Sequence, residues 1–301
     1  MVARGVPGLG LWGWSLRGLL LAAAAIVTLS ACSTVRIAYY GADILVREYA
    51  DDYLGLDSAL LAAWQPHLAQ ALARHKANEL PYLARFFDNA LRGAESGFDR
   101  PAVACLEDQA LAIYRRHARL AADLAAPLLA ASHPRQIETL EARLRKEWAE
   151  ETSTDPQAVA RRERKRAKRY ADAAKWWVGG LTPDQEAIVR TATQAMPDTA
   201  PAWDAYRRSR QEELLRLLKR GSSEAEIHAF LVAWLVEQRD LPANLAQATE
   251  GMRAGLADLI VRLDASLTAE QHAQLRRRLR GLRDDFLALQ SKPRLAVLGC
   301  G

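Results

Sequence analysis

Along most of the chain apolar side chains return every three or four positions, the spacing of helices that each lay one stripe on a core. Leu275, Leu279, Leu282, Phe286 and Leu289 form one stripe, and Leu245, Met252, Leu256, Leu259 and Leu263 a second. Ile227, Phe230, Leu231, Trp234 and Leu235 make a third, and Ile137, Leu140, Leu144 and Trp148 a fourth. The strict alternation of a half-buried strand does not occur. The pattern predicts an all-α protein, a multi-helix bundle of about ten helices near 36–54, 57–92, 101–131, 134–151, 156–178, 183–195, 201–220, 223–239, 242–264 and 269–290.

The punctuation agrees with those boundaries. Thr154-Asp155-Pro156, Thr182-Pro183, Thr199-Ala200-Pro201 and Leu241-Pro242 read as helix starts, where the missing proline N–H costs nothing. Leu181-Thr182-Pro183-Asp184-Gln185 and Leu267-Thr268-Ala269-Glu270-Gln271 share a threonine cap with a glutamine three residues on, the elements of a capping box. Pro66, Pro81 and Pro127 fall inside expected helices and are expected to kink or split them. The spacing of starts is too irregular for a solenoid, and the last eleven residues read as a tail. Neither the 152–155 loop nor Gly179-Gly180 is long enough for a flexible linker. Residues 32–301 therefore read as a single helical domain, with possible halves 36–151 and 156–290.

The first residues follow another logic. Arg4 and Arg17 are the only charges before Arg36, and Gly18 to Ala31 is an apolar or small run of fourteen residues. A membrane-spanning helix needs ~20. The run has the length of an export signal's apolar region, preceded by positive charge and followed by small residues. Leu29-Ser30-Ala31-Cys32 resembles the lipobox of bacterial lipoproteins. That resemblance implies cleavage between Ala31 and Cys32, acylation of the Cys32 thiol and new amino group, and no further role for residues 1–31, the signal peptide. Two or three acyl chains anchor stably where one is marginal. Ser33 and Thr34 follow the cysteine instead of the aspartate common in lipoproteins kept at the inner membrane, so the resemblance points to an outer-membrane lipoprotein facing the periplasm. The alternatives are a simple secretory signal and an uncleaved anchor.

Charge adds little at the level of the whole chain. Lys and Arg number 41 against 36 Asp and Glu, and losing Arg4 and Arg17 leaves 39 against 36. Beyond Cys32 only Cys105 and Cys300 remain. An oxidising periplasm permits them to pair, and the other reading is a buried thiol in a helix with a free one in a frayed tail.

Local charge is more informative. Arg161, Arg162, Arg164, Lys165, Arg166, Lys168 and Arg169 place seven basic residues in nine, around nearly every side of one helix. An acidic envelope protein or an anionic glycolipid would suit such a run, a solvated helix with internal ion pairs is the plain reading, and an exported lipoprotein does not meet nucleic acid. Trp176-Trp177 on the same helix reads as core or interface. His75 and Glu79 stand four apart before Pro81, which suits either metal ligation or a side-chain hydrogen bond on a kinked helix; the hydrogen bond is the expectation. His67, His117, His133, His228 and His272 are scattered. The sequence has no HExxH, paired-cysteine zinc motif, phosphate-binding glycine loop or nucleophile elbow, so no cofactor and no enzyme activity is expected. A pair of dispersed carboxylates, as in helical cell-wall hydrolases, is the one catalytic alternative.

Several of these segments combine into a resemblance. Val35-Arg36-Ile37-Ala38-Tyr39-Tyr40-Gly41-Ala42-Asp43, Tyr53-Leu54-Gly55-Leu56-Asp57-Ser58, the stretch from His75 to Pro81, Arg145-Lys146-Glu147-Trp148, the basic helix and Leu181 to Gln185 resemble an uncharacterised family of bacterial lipoproteins, domain of unknown function 6279. The chain departs at Leu60, where the family often has glutamine, and at Gly41, where asparagine is common. The resemblance implies a lipoprotein and a helical fold. The Leu-Thr-x-x-Gln starts are similar to those of small helical periplasmic chaperones that cradle unfolded proteins, which implies a holdase as the second functional reading. The sequence as a whole predicts a lipid-anchored helical envelope protein that works by binding.

Overall fold

The computed structural model describes residues 34–148 and 155–300. The chain divides into two compact units, residues 1–41 and 42–301. Of the first, only helix α1, Thr34–Tyr40, is described. The second begins with α2 (Ala42–Leu54) and α3 (Ser58–Arg74), then a π-helical turn π1 (His75–Glu79) and α4 (Leu80–Ser96). It continues with α5 (Arg100–Ala130), α6 (Pro134–Trp148), α7 (Pro156–Val178), α8 (Pro183–Ala195), α9 (Ala200–Lys219) and α10 (Glu224–Leu231). A second π turn, π2 (Val232–Val236), precedes α11 (Ala243–Asp264) and α12 (Ala269–Ala288). The architecture is all-α, and the described residues contain no strand.

The expected helices are present, with three changes. Gly41 interrupts the first, and π turns modify the second and eighth. Pro66 was expected to kink or split its helix, and α3 runs through it without a break. Leu60 and Trp64 before the proline and Leu68 and Ala71 after it are all buried, and that packing outweighs the ~3 kcal/mol that an interior proline costs. Pro127 likewise lies within α5. Of the three, only Pro81 coincides with a change of helix type, and it has no N–H to offer the Ala77 carbonyl, four residues earlier.

Three apolar clusters hold the second unit together. The largest joins α2, α3, α5, α6, α9 and α10 through Trp64, Leu68, Ala122, Leu140, Leu215 and Ile227, among others. A second joins α4, α7 and α12 through Ala90, Leu91, Val178, Leu275 and Leu279. Val189, Ala192, Met196 and Leu259 form the third, between α8 and α11.

The C-terminal residues are not the free tail expected from the sequence. Their backbone has no ladder of its own, so it takes partners from the helices. Ala296 N–H donates to Pro81 O at 3.1 Å, and Arg85 Nε donates to Ala296 O at 2.9 Å. Arg294 Nη2 donates at 3.2 Å to Ala77 O, the carbonyl to which Pro81 has no N–H to offer. Buried Gln109 receives an N–H from Asn89 and donates to Leu298 O. Cys300 then forms a disulfide with Cys105, which decides between the two readings of these cysteines. Closing a loop over a sequence separation of 195 is worth about 5 kcal/mol in the chain-entropy model.

Candidate functional site

The basic run occupies the first half of α7. Asp155 starts the helix by accepting from Ala158 N–H at 3.2 Å, Pro156 sits in the first turn, and Gly179, at φ +91°, ends it. The run does not act as one patch. Arg162 and Arg166 continue the inward face begun by Ala158. Arg166, only 9% exposed, donates to Pro197 O at 2.9 Å and Met196 O at 3.1 Å, and Arg162 pairs with Asp198 at 3.3 Å. Cations at the carbonyl-rich end of a helix are favoured, and these two fasten the segment that leaves α8.

The other five point outward. Arg161, Arg164, Lys165, Lys168 and Arg169 are exposed and follow the i, i+3, i+4, i+7, i+8 spacing of a single helical face. The stripe is about 12 Å long at 1.5 Å per residue. Lys168 contacts Asp172 at 2.5 Å. Among the described residues Arg161, Arg164, Lys165 and Arg169 make no ion pair. Such a stripe can meet an array of carboxylates or phosphates, each exposed contact adding up to ~1 kcal/mol. The i+4 step from Ala158 through Arg162 and Arg166 to Tyr170 was the signal that would have separated the two faces from sequence.

Further along α7 the cations are already engaged. Lys175 donates to Glu186 at 2.7 Å, which raises its pKa and lowers that of Glu186. The two tryptophans divide. Trp177 turns inward against Phe87, while Trp176 is exposed with the Arg278 guanidinium 4.5 Å from its ring centre.

His75 and Glu79 do not bond each other. They lie within π1 on one side of the turn, and each takes a different partner. Both turn to α5. Glu79 is buried and accepts from Arg116 Nε at 2.7 Å and Nη2 at 2.9 Å, with the guanidinium 3.9 Å over Tyr82. His75 Nε2 lies 3.1 Å from His117 Nε2, and His117 Nδ1 bonds Ile113 O at 2.8 Å. Burial, then the adjacent imidazole, lowers the His75 pKa to about 4. The described residues hold no cluster of three or more side chains suited to a metal ion.

The two Leu-Thr-x-x-Gln starts meet at one place. Thr182 and Gln185 complete one capping box, Thr268 and Gln271 the other. The glutamine amides then exchange hydrogen bonds of 2.8 and 2.9 Å, and each also donates to a carbonyl beyond it, Gln185 to Ser266 and Gln271 to Gly180. Every polar atom of both buried amides is therefore used in joining the start of α8 to the start of α12.

Ala31 and Cys32, the expected cleavage and lipidation positions, lie outside the described residues. No helix among the described residues is long and apolar enough to cross a membrane. A family model described as a family of unknown function (DUF6279) matches residues 52–243. No curated protein and no solved structure matches the chain.

Proposed function

The chain belongs to DUF6279, a family described by no activity, and from its own residues we propose that it is an envelope binding protein, lipid-anchored through Cys32 at the periplasmic side of the outer membrane. Its work is to hold an acidic envelope protein on the outward stripe of α7, not to catalyse a reaction. An anionic glycolipid offers related phosphate chemistry and is the second class of partner. The observation that carries the reading is the stripe itself. Arg161, Arg164, Lys165 and Arg169 are exposed on one face without an ion pair among the described residues, whereas Arg162 and Arg166 are committed to the fold. Surface cations spent on internal pairs would leave no charge to offer.

Two further features support the anchored, exported setting. The Cys105–Cys300 disulfide suits an oxidising compartment. Of eight exposed large hydrophobic residues among those described, Ile37, Tyr40, Ile44, Leu45 and Tyr49 follow soon after Cys32. Apolar side chains of this kind suit a bilayer surface.

The test replaces Arg161, Arg164, Lys165 and Arg169 together with glutamine in the anchored protein, and crosslinks it in intact envelopes. Captured adducts should fall at least about ten-fold, since four weak contacts are lost at once. Helicity should stay unchanged. Adducts that persist at full yield refute the stripe as the contact. Exporting the chain from a non-lipidating signal with Cys32→Ala should convert it from detergent-extracted to salt-extracted. The holdase reading rested on the Leu-Thr-x-x-Gln starts, and their glutamines are buried against each other. Suppressed aggregation of an unrelated unfolded client would restore it.

A further inference from the structure

Where α4, α7, α11 and α12 converge, their apolar stripes do not close completely. A pocket of about 360 Å³ stays open to solvent, within the range of small-molecule sites. Phe87, Phe98, Tyr170, Trp177, Leu256 and Ile260 contribute to its wall and are each only half-buried. Apolar side chains that the protein leaves half-covered gain from any apolar occupant that displaces water.

One carboxylate stands in that wall. Asp264 ends α11 and is 8% exposed. Its Oδ2 accepts the Phe98 N–H at 2.9 Å, presented by the turn at Gly97, whose φ of +87° favours glycine. Its Oδ1 is buried and has no hydrogen bond. His272 Nδ1 lies 3.7 Å from that oxygen, beyond hydrogen-bond range and an ion-pair partner only when its imidazole is protonated. A buried acceptor left unmade is costly, and more so when it carries charge.

We propose that this pocket binds a small cationic amphiphile, with its apolar body among the aromatic and aliphatic walls and one ammonium group paired with the Asp264 carboxylate. A hydrocarbon without a donor would leave the oxygen as it is. An acid would set like charges together. A hydroxyl would satisfy the bond, and only an ammonium satisfies both the bond and the charge. The proposal stands apart from the outward stripe: Tyr170 and Trp177 continue the inward face of α7, and the Lys and Arg stripe occupies another.

Isothermal titration of the full chain in detergent-free buffer, with octylamine, octan-1-ol and octanoate as probes, tests it. Octylamine should bind most tightly, with octanoate weaker by at least about ten-fold, because like charges at close range are strongly disfavoured. Asp264→Asn keeps an acceptor for Phe98 N–H and removes the charge, and the preference for octylamine over octanoate should disappear. Ala174→Trp fills the pocket from α7 and should abolish binding of all three, with circular dichroism verifying the fold. Absence of octylamine binding, octanoate binding as tightly, octan-1-ol matching octylamine, or a preference that survives Asp264→Asn would each overturn the proposal. Should the Asn variant not fold, the ranking of the three probes on the unaltered chain decides alone.

Discussion

At the C-terminal end, residues 294–300 have no helix of their own and are nevertheless tied to π1, α4 and α5 by backbone hydrogen bonds, by Arg294 and by a disulfide. Near the N-terminal end, α1 and α2 are regular helices, and yet they expose Ile37, Tyr40, Ile44, Leu45 and Tyr49. Regular structure and integration into a core are thus separate properties. A helix satisfies its own backbone and can leave its apolar side chains to some external surface, whereas an extended segment must borrow hydrogen-bond partners and so becomes part of whatever lends them. The C-terminal segment belongs to the stability of the fold, whereas the N-terminal helices, although α2 lends Leu54 to the largest core cluster, leave much of their apolar surface uncovered.

The largest test of that contrast is Cys105→Ser. Removing a link across so long a loop should cost about 3–5 kcal/mol, read as a lower urea midpoint, and should open the chain to trypsin after Arg294. An unchanged midpoint with a protected tail would show that hydrogen bonds alone hold it. Glu79→Gln comes next, because π1 is the floor on which Arg294 bonds. It leaves Arg116 with one partner too few, and since that guanidinium is more than a third exposed the loss should be about 2 kcal/mol. A further change should follow pH. The unfolded chain takes up a proton at His75 near the ordinary value of 6.5, while the folded chain does so only near 4. The folded state binds fewer protons in that window, so stability is full above it and declines as pH falls through it. Urea midpoints at several pH values should show this slope, and His75→Gln should flatten it; an identical slope in the variant would assign the effect to other groups.

Most helix boundaries were legible because their signals are local. Thr182 with Gln185, Thr268 with Gln271 and Pro156 are all read within one turn, and each marks the start that the structure has. The features that were missed depend on partners far away in sequence. π1 precedes Pro81, which has no N–H for the Ala77 carbonyl, and that carbonyl is satisfied by Arg294, 217 residues further on. Likewise the basic helix looks uniform until the 196–198 segment takes Arg162 and Arg166. The i+4 step from Ala158 to Tyr170 marked the inward face in the sequence, but the partners in 196–198 that occupy it were not legible. Asp264 offered no signal, since an aspartate at a helix end becomes distinctive only when apolar side chains from three other helices surround it.

The smallest effect on stability, and the sharpest on behaviour, should come from the opposite end. Ile44→Ser, Leu45→Ser and Tyr49→Ser together remove side chains that are already exposed, so the unfolding free energy should change by no more than about 0.5 kcal/mol. In a chain exported without the proposed acyl group, the residual association with envelope vesicles should nevertheless fall, because α2 would retain its helix and lose its apolar face. Cys105→Ser should do the reverse, lowering the midpoint and leaving association as it was. A triple variant that unfolds as readily as the disulfide variant would mean that α2 leans on the fold through those residues, and the distinction between the two ends would collapse.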